Sequence, residues 1–369
     1  MRVLVVTVVH TPTDARIFHR QIRALTTAGH HVTFIAPFAG YNLDADTFAG
    51  QRRLAVINVT RADGKKRVRA LLHAKRLIKT HAPHHDVILL HDPELLFIAA
   101  KRVTKHTPVV YDVHEHAAAA LTERTYLPKV LRSPVARFVA RKERQAEKRH
   151  SLILAEPAYQ QRFEKKHAVV ENLPWAVYNP QPAASVNQVV YVGRISLLRG
   201  ADEMLALAAR LHAANGPTLT LIGPADSDVA DALTRAHDAG LLVWHGALPN
   251  NVALTTMAGA VAGLSLLHDT ANYRVSRPTK LLEYFVHRIP VITTPLPEAV
   301  KLTQKAGSGT VVAYGQDGAD AAFTQIMRYH AHPEEAVHDG DTGYKWVVAH
   351  ATFDRHADTF VNVLKKACT

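Results

Sequence analysis

The chain has 369 residues, about two domains at ordinary sizes and enough for two cores. Its apolar fraction of 47% and charged fraction of 21% are those of a soluble globular protein. The net charge of +12 is uneven: residues 1–172 hold 29 of the 44 Lys and Arg but only 15 of the 32 Asp and Glu. All the excess positive charge therefore lies in the first half, which points to an anionic partner there.

The first apolar run, Val3 to Val9, is too short to span a bilayer, and no small-residue cleavage site follows it. It reads as a buried strand, and the protein as cytoplasmic. The only cysteine, Cys368, excludes intramolecular disulfides and weighs against a cysteine-based metal site. After the polar turn His10 to Asp14, a helix is expected from about Ile17 to a C-cap at Gly29. Strands follow at 32–36, 54–59, 87–90 and 109–113, with helices near 68–80 and 94–103 between them. Strands alternating with helices of these lengths imply βαβ units and a parallel sheet.

Near residue 173 the pattern breaks into a stretch rich in Pro and small residues, read as a linker. A second alternation has strands at 189–193, 219–222, 242–244, 263–267, 290–293 and 310–313, with helices near 202–214 and from Pro278. The last helix, about Asp354–Ala367, has Phe353, Phe360, Val363 and Leu364 on one face and no strand after it, so it must dock elsewhere. The domains are placed at 1–175 and 186–350, with 351–369 as a closing helix. Two α/β halves joined by a linker imply a cleft between them, with ligands at the C-terminal strand ends.

The segment Pro278 to Phe285 places Lys280 and Glu283 on the first turns of a helix just before the buried strand Pro290–Ile292. The first N–H groups of a helix are unpaired and its dipole is positive there, so the start attracts anions. Pro278 suits that start. Lys280 adds a full charge, and Glu283 can accept hydrogen bonds from neutral hydroxyls such as those of a ribose. Upstream, Gly193-Arg194-Ile195-Ser196-Leu197-Leu198-Arg199-Gly200 lies between a strand and a helix. Arg194 and Arg199 can reach a diphosphate with charge-assisted contacts. Three cations at strand ends of a half with no positive excess look placed rather than incidental. No Gly-x-Gly-x-x-Gly follows either first strand and no Walker-type loop is present, so ordinary dinucleotide binding and P-loop phosphoryl transfer lose support.

In the first half, His91-Asp92-Pro93-Glu94 and Asp112-Val113-His114-Glu115-His116 sit at strand ends. His114 could orient or polarise a hydroxyl. A metal reading gains no His-Glu-x-x-His helix and no cysteine pair, and none is expected. The basic stretches 65–79 and 129–149 are helical in period. In the first, Val68, Leu71, Leu72 and Ile78 lie near one face with Lys and Arg around them. A core-facing helix with a solvated charged face explains this, and so does a helix lying on an anionic membrane. Nucleic acid is not an expected partner: there is no binding motif and few aromatics in these stretches.

In these residues the chain resembles the GT-B glycosyltransferases, specifically the large retaining family four (glycosyl transferases group 1). The stretch Asp14 to Val32 resembles that family's first loop, helix and second strand. Leu90 to Leu96 and Val110 to Glu115 resemble its acceptor-domain strand ends, Gly193–Gly200 its Gly-Arg…Lys-Gly motif with Arg199 where Lys is usual, and Lys280–Ile292 its Glu-Tyr…Pro-Val-Ile signature. The resemblance implies two Rossmann-like α/β domains facing across a cleft, with the last helix crossing back to the N-terminal domain. It implies an acceptor-binding first domain, a nucleotide-sugar donor-binding second domain, and transfer of a hexose, UDP-sugar first, to a glycan or lipid-linked acceptor with retained anomeric configuration. Arg194 and Arg199 would grip the donor diphosphate, Glu283 the ribose, and His114 the transferred sugar. The reacting-centre candidates are thus His114, Arg194, Arg199 and Lys280. Gly193, Gly223, Gly246, Thr279 and Glu283 are donor-side candidates, and Asp14, Arg16, His91, Asp92 and Glu115 acceptor-side ones. No metal or other cofactor is expected, and an anionic membrane surface is a further expected partner. The family often carries a Glu eight positions before the second Glu, where this chain has Val275; its contacts to the donor sugar do not carry over, leaving Asn272, Tyr273, Thr279 or Lys280 to replace them. A nucleotide-sugar epimerase of the same fold and a non-catalytic two-lobe sugar-binding protein are the alternatives.

Overall fold

The computed structural model shows two α/β units, Met1–Asn172 with Phe353–Thr369, and Leu173–Thr352. It describes all residues except 49, 115–128, 271–272 and 275, with helix residues 101–102, 129–133 and 135–136 described by their backbone alone.

The first unit is built on a parallel sheet of β1 (Arg2–Val6), β2 (His31–Ala36), β3 (Leu54–Asn58), β4 (Val87–Leu90), β5 (Val109–Val113), β6 (Ser151–Leu154) and β7 (Ala168–Val169), in the order β3-β2-β1-β4-β5-β6-β7. All residues of β4 and β5 are buried, as continuous apolar strands covered on both faces require. The chain from Asp14 runs as a π-helix, Ala15–Ile22, and continues as α1 (Arg23–Thr27). Asp14 caps it, its carboxylate accepting from the N–H groups of Arg16 (2.8 Å) and Ile17 (3.0 Å). The other helices of this unit are α2 (Arg67–His81), α3 (Lys101–Thr104) and α4 (Lys129–Glu147). The single helix expected over 94–103 is instead a 3-10 turn, Pro93–Phe97, followed by the short α3. Asp92, the natural cap for such a helix, makes no capping bond, because its carboxylate is bound to the end of β1. The strands β6 and β7 are additions to the sequence reading.

The second unit contains β8 (Gln188–Val192), α5 (Ala201–Ala213), β9 (Thr218–Ile222), α6 (Ser227–Asp238), β10 (Leu242–Trp244), α7 (Asn250–Met257), β11 (Ala262–Ser265), α8 (Thr279–Val286), β12 (Val291–Thr293), α9 (Pro297–Ala306), β13 (Thr310–Val311), α10 (Gly315–Ala331) and α11 (Pro333–His350). Its sheet is parallel in the order β10-β9-β8-β11-β12-β13. The Pro-rich stretch after residue 173 packs onto this unit: Leu173 and Ala183 are buried, and the Val177 carbonyl accepts from the Tyr344 hydroxyl at 2.8 Å.

The last helix, α12 (Asp354–Cys368), buries Phe360, Val361 and Leu364 and contacts β4, β5, β6, β7 and α1. It therefore belongs to the first unit, although the whole second unit precedes it in the chain. In both sheets the strand order reverses at one place, between β1 and β4 and between β8 and β11. These are the switch points at which parallel sheets open a crevice for ligands.

Candidate functional site

At the switch point of the first unit a buried polar network joins the ends of β1, β4 and β5. Asp92, fully buried, accepts from the Thr7 hydroxyl (3.0 Å) and the Val8 N–H (2.5 Å), stitching β4 to β1 where the strands part. Asp112, fully buried at the end of β5, receives a bidentate Arg16 guanidinium (2.7 and 2.6 Å) and the Gln21 amide (2.9 Å). Arg16 and Gln21 are five residues apart, and the π winding, which repeats at i+5, turns both to the same carboxylate. Arg16 also donates to the Val170 carbonyl at 2.9 Å. Burial alone would raise the Asp112 pKa, but the charge and hydrogen bonds of Arg16, then those of His91, hold it well below the usual carboxylate range.

Three histidines complete the network. His91 is fully buried, with Nδ1 3.3 Å from Asp112 Oδ2. His114 Nδ1 lies 3.2 Å from the Asp112 carbonyl, and its Nε2 lies 2.9 Å from His10 Nε2. A carbonyl only accepts, so Nδ1 of His114 carries the proton and Nε2 accepts from His10. Burial, then the neighbouring His10, lowers the His114 pKa, which keeps the ring in that neutral form. His10 Nε2 is also 3.3 Å from Asp92, and its Nδ1 is 4.0 Å from Asp14. Both ring nitrogens of His114 are thus engaged, and a hydroxyl that reaches it must replace His10.

Of the residues proposed for this half, Asp14, Arg16, His91, Asp92 and His114 come together, and Glu115 lies outside the described residues. Sequence reasoning passed over His10, Gln21 and Asp112 as site members. The signal for Asp112 was present: an acid inside an apolar strand needs a buried partner. Ligand atoms of His91, Asp112 and His114 lie within 4.8 Å of one another. They suit a dication poorly, because both Asp112 oxygens already bind the Arg16 guanidinium.

In the second unit the switch point is shaped by Tyr284 of α8. Strands β8 and β11 pair only through Val189 and Val190 with Ala262 and Gly263, then separate. The Tyr284 hydroxyl takes over beyond that point, accepting from the Val192 N–H and donating to the Leu264 carbonyl, both at 3.1 Å. Above this bridge, at the end of β8, lies Gly193 with φ of 130°, a conformation that L side chains avoid. A Cβ placed there would lie 3.7 Å from Lys280 Nζ, 3.8 Å from Arg199 Nη1 and 3.9 Å from the Tyr191 hydroxyl. Two basic side chains from separate segments thus meet over one half-buried stretch of backbone. Lys280 Nζ lies 3.6 Å from the centre of the Tyr191 ring. Arg199 is hydrogen-bonded to Tyr191 and Tyr273. Burial, against the opposing charge of Arg199, pushes the Tyr191 hydroxyl up to about 12, so it stays a neutral partner.

Gly193, Gly223 and Gly246 follow β8, β9 and β10. The Gly193 N–H donates to Ile222 and the Gly223 N–H to Gly246. A Cβ on Gly223 would fall 2.0 Å from the Gly193 carbonyl oxygen, so no other residue fits. Thr279 opens α8, and Glu283 lies one turn beyond Lys280. Arg194 departs from the expected trio. Its guanidinium is 64% exposed and turned to Asp226 at 2.5 Å, while its carbonyl accepts from the Tyr191 hydroxyl at 2.7 Å. Among the candidates for the missing Glu, Asn272 and Val275 itself lie outside the described residues, whereas Tyr273 is one of the partners of Arg199.

Residues 15–179 match the model of Glycosyltransferase Family 4. Sucrose-phosphate synthase from Thermosynechococcus elongatus is similar in structure over 99% of this chain and 98% of its own, with a TM-score of 0.67 and 17% identity. The Anabaena protein HepE, solved with UDP and glucose, is similar over 99% and 100%, with a TM-score of 0.67 and 15% identity. WaaG, a glycosyltransferase involved in lipopolysaccharide biosynthesis, is similar over 100% and 98%, with a TM-score of 0.58 and 16% identity. No curated protein sequence matches the chain. The family match thus covers residues 15–179, and the likeness in structure extends along the whole chain, which has the GT-B fold.

Proposed function

We propose that the protein transfers a hexose from a nucleotide-diphosphate sugar, a UDP-sugar first, to a hydroxyl of a glycan or lipid-linked acceptor, with retained anomeric configuration and no metal ion. The observation that carries this reading is the meeting of Lys280 and Arg199 over Gly193, beside the start of α8. The hard step is departure of the diphosphate. Positive charge held beside the departing diphosphate stabilises the charge that develops, and this can replace the divalent ion that other sugar transferases use. HepE, a protein of similar fold, was solved with UDP and with UDP-glucose, which favours uridine as the base. The second unit then takes the donor and the first the acceptor, with His114 directed to the transferred sugar and Glu283 to the ribose.

The exposed face of the first unit supports an anionic membrane surface as a partner, with the protein peripheral to it. Val68 and Leu72 of α2 are 70% and 60% exposed among Lys65, Lys66, Arg69 and Lys75. Ala70, Ala74 and Ile78 of the same helix face the core, so the apolar face expected from sequence is divided between the two. Phe97 and Phe138, both exposed, stack at 5.7 Å, with Lys142 over the latter ring. Exposed apolar groups ringed by cations are what an anionic bilayer surface attracts. No helix among the described residues is long and apolar enough to cross a membrane.

The test is titration with UDP, followed by turnover with a panel of UDP-sugars and hydroxyl acceptors. Arg199→Ala is expected to lower turnover about a hundredfold, the usual loss for one contact to a leaving anion. Turnover within about twofold of the parent would count against the assignment. Release of UDP without sugar transfer to any acceptor would move the reading to an epimerase or a hydrolase.

A further inference from the structure

We propose that Lys280 is a proton-coupled anion hook: its Nζ is an uncharged amine before the diphosphate arrives and takes one proton from solvent as the diphosphate binds. The inference rests on the donor-site reading above and adds to it a protonation step assigned to one atom.

The geometry around Nζ leads to it. The atom is closed to solvent and has no hydrogen-bond partner among the described residues. An ammonium has three N–H donors, each of which water would satisfy. Here the group has the face of Tyr191 at 3.6 Å on one side, and an aromatic face attracts a cation but accepts no full set of hydrogen bonds. Near Nζ over Gly193 lies the Arg199 guanidinium, which keeps its charge at any ordinary pH. The groups around the hook are Tyr191 of β8, Arg199 before α5 and Tyr273 before α8, with Arg277 and Glu283 along its own segment. Tyr191 and Tyr273 are both hydrogen-bonded to Arg199. Burial and then the Arg199 charge push the Lys280 amine well below the ordinary lysine value.

A diphosphate over Gly193 reverses both causes. Its oxygens accept the N–H bonds that Nζ lacks, and its charge offsets Arg199. The step is simple acid–base: one solvent proton joins the amine lone pair and one ammonium forms, with no bond broken in the ligand. The ammonium then faces a group that gains a further negative charge when the sugar departs, which favours departure.

The experiment is calorimetric titration of the full chain with UDP, and in parallel with methyl diphosphate, at pH 8 in buffers of different ionisation enthalpy. A terminal phosphate with a second pKa near 6 is fully ionised there, so the ligand takes up no proton itself. The parent is expected to take up about one-half to one proton per UDP, with affinity falling up to about tenfold per pH unit as pH rises. Lys280→Arg, with a fixed charge, is expected to bind UDP with no uptake and a flat pH profile. Lys280→Gln is expected to bind more weakly, also without uptake. Binding to the parent without proton uptake, or unchanged uptake in Lys280→Arg, overturns the hook and leaves the donor site standing. Absence of UDP binding by the folded parent overturns both. Uptake with methyl diphosphate as well as with UDP locates the effect at the diphosphate rather than the base.

Discussion

At the scale of single residues, the two units handle charge in opposite ways. Asp112 is buried and saturated: Arg16, Gln21 and His91 surround its carboxylate. Removing one partner of a buried pair leaves the other uncompensated, which costs about 3–5 kcal/mol. Arg16→Ala is expected to destabilise the first unit by that amount at pH 7, read as an earlier first transition in urea. The pH dependence has a definite sign. The folded pKa of Asp112 is depressed, so its stabilisation is fully present above the ordinary carboxylate pKa of about 4 and lost as pH falls through the folded value. In Arg16→Ala, burial without the guanidinium raises that pKa instead, so the folded variant takes up a proton that the parent does not, and the gap between them narrows as pH falls from 7 towards 4 and below. A gap that stays constant between pH 7 and pH 4 would remove Asp112 as its cause. Arg194 lies at the other extreme, exposed and paired with Asp226. Exposed pairs contribute about 0–1 kcal/mol, so Arg194→Ala is expected to leave the thermal midpoint nearly unchanged. Its effect on turnover should stay well below that of Arg199→Ala, and equal losses would restore Arg194 to the diphosphate grip.

At the scale of elements, each site is made by strands that part and by a side chain that completes the missing ladder bonds. Asp92 does this between β1 and β4, and Tyr284 between β8 and β11. Tyr284→Phe keeps the ring against Gly263 but leaves the Val192 N–H and the Leu264 carbonyl without that hydroxyl. Buried groups left unpaired cost about 1–3 kcal/mol, and the loss should appear in the transition of the second unit. Most elements were legible from period alone: β4, β5 and β10 stand where apolar runs placed them, and α2 and α12 within a residue or two. The exceptions have local causes. The helix expected over 94–103 broke because Asp92 was engaged by β1, an acid drawn from its cap by a partner 84 residues away. The helix after Asp14 took a π winding that an α-helical period does not reveal.

At the scale of the whole molecule, the charge asymmetry visible in the sequence acquires a surface. The excess lies in the unit that exposes Val68, Leu72, Phe97 and Phe138. The protein is expected to float with anionic vesicles better than with neutral ones, and to lose that preference as salt is raised. The double variant Val68→Ser, Leu72→Ser should weaken flotation without lowering stability, since both side chains are exposed. Equal flotation with both vesicle types would retire the membrane partner. Two parallel sheets, the segment between them and the final helix were all read from apolar runs, Pro and Gly, because such signals are local and repeat within a few residues. The sequence by itself therefore determined the class of fold, the basic half and the segments that carry chemistry. Only the tertiary structure decided which of their side chains meet: that Lys280 and Arg199 converge while Arg194 turns to Asp226, and that Arg16 reaches Asp112 across 96 residues. Convergence depends on strand order and on the direction of each side chain at a strand end, and neither leaves a periodic trace along the chain.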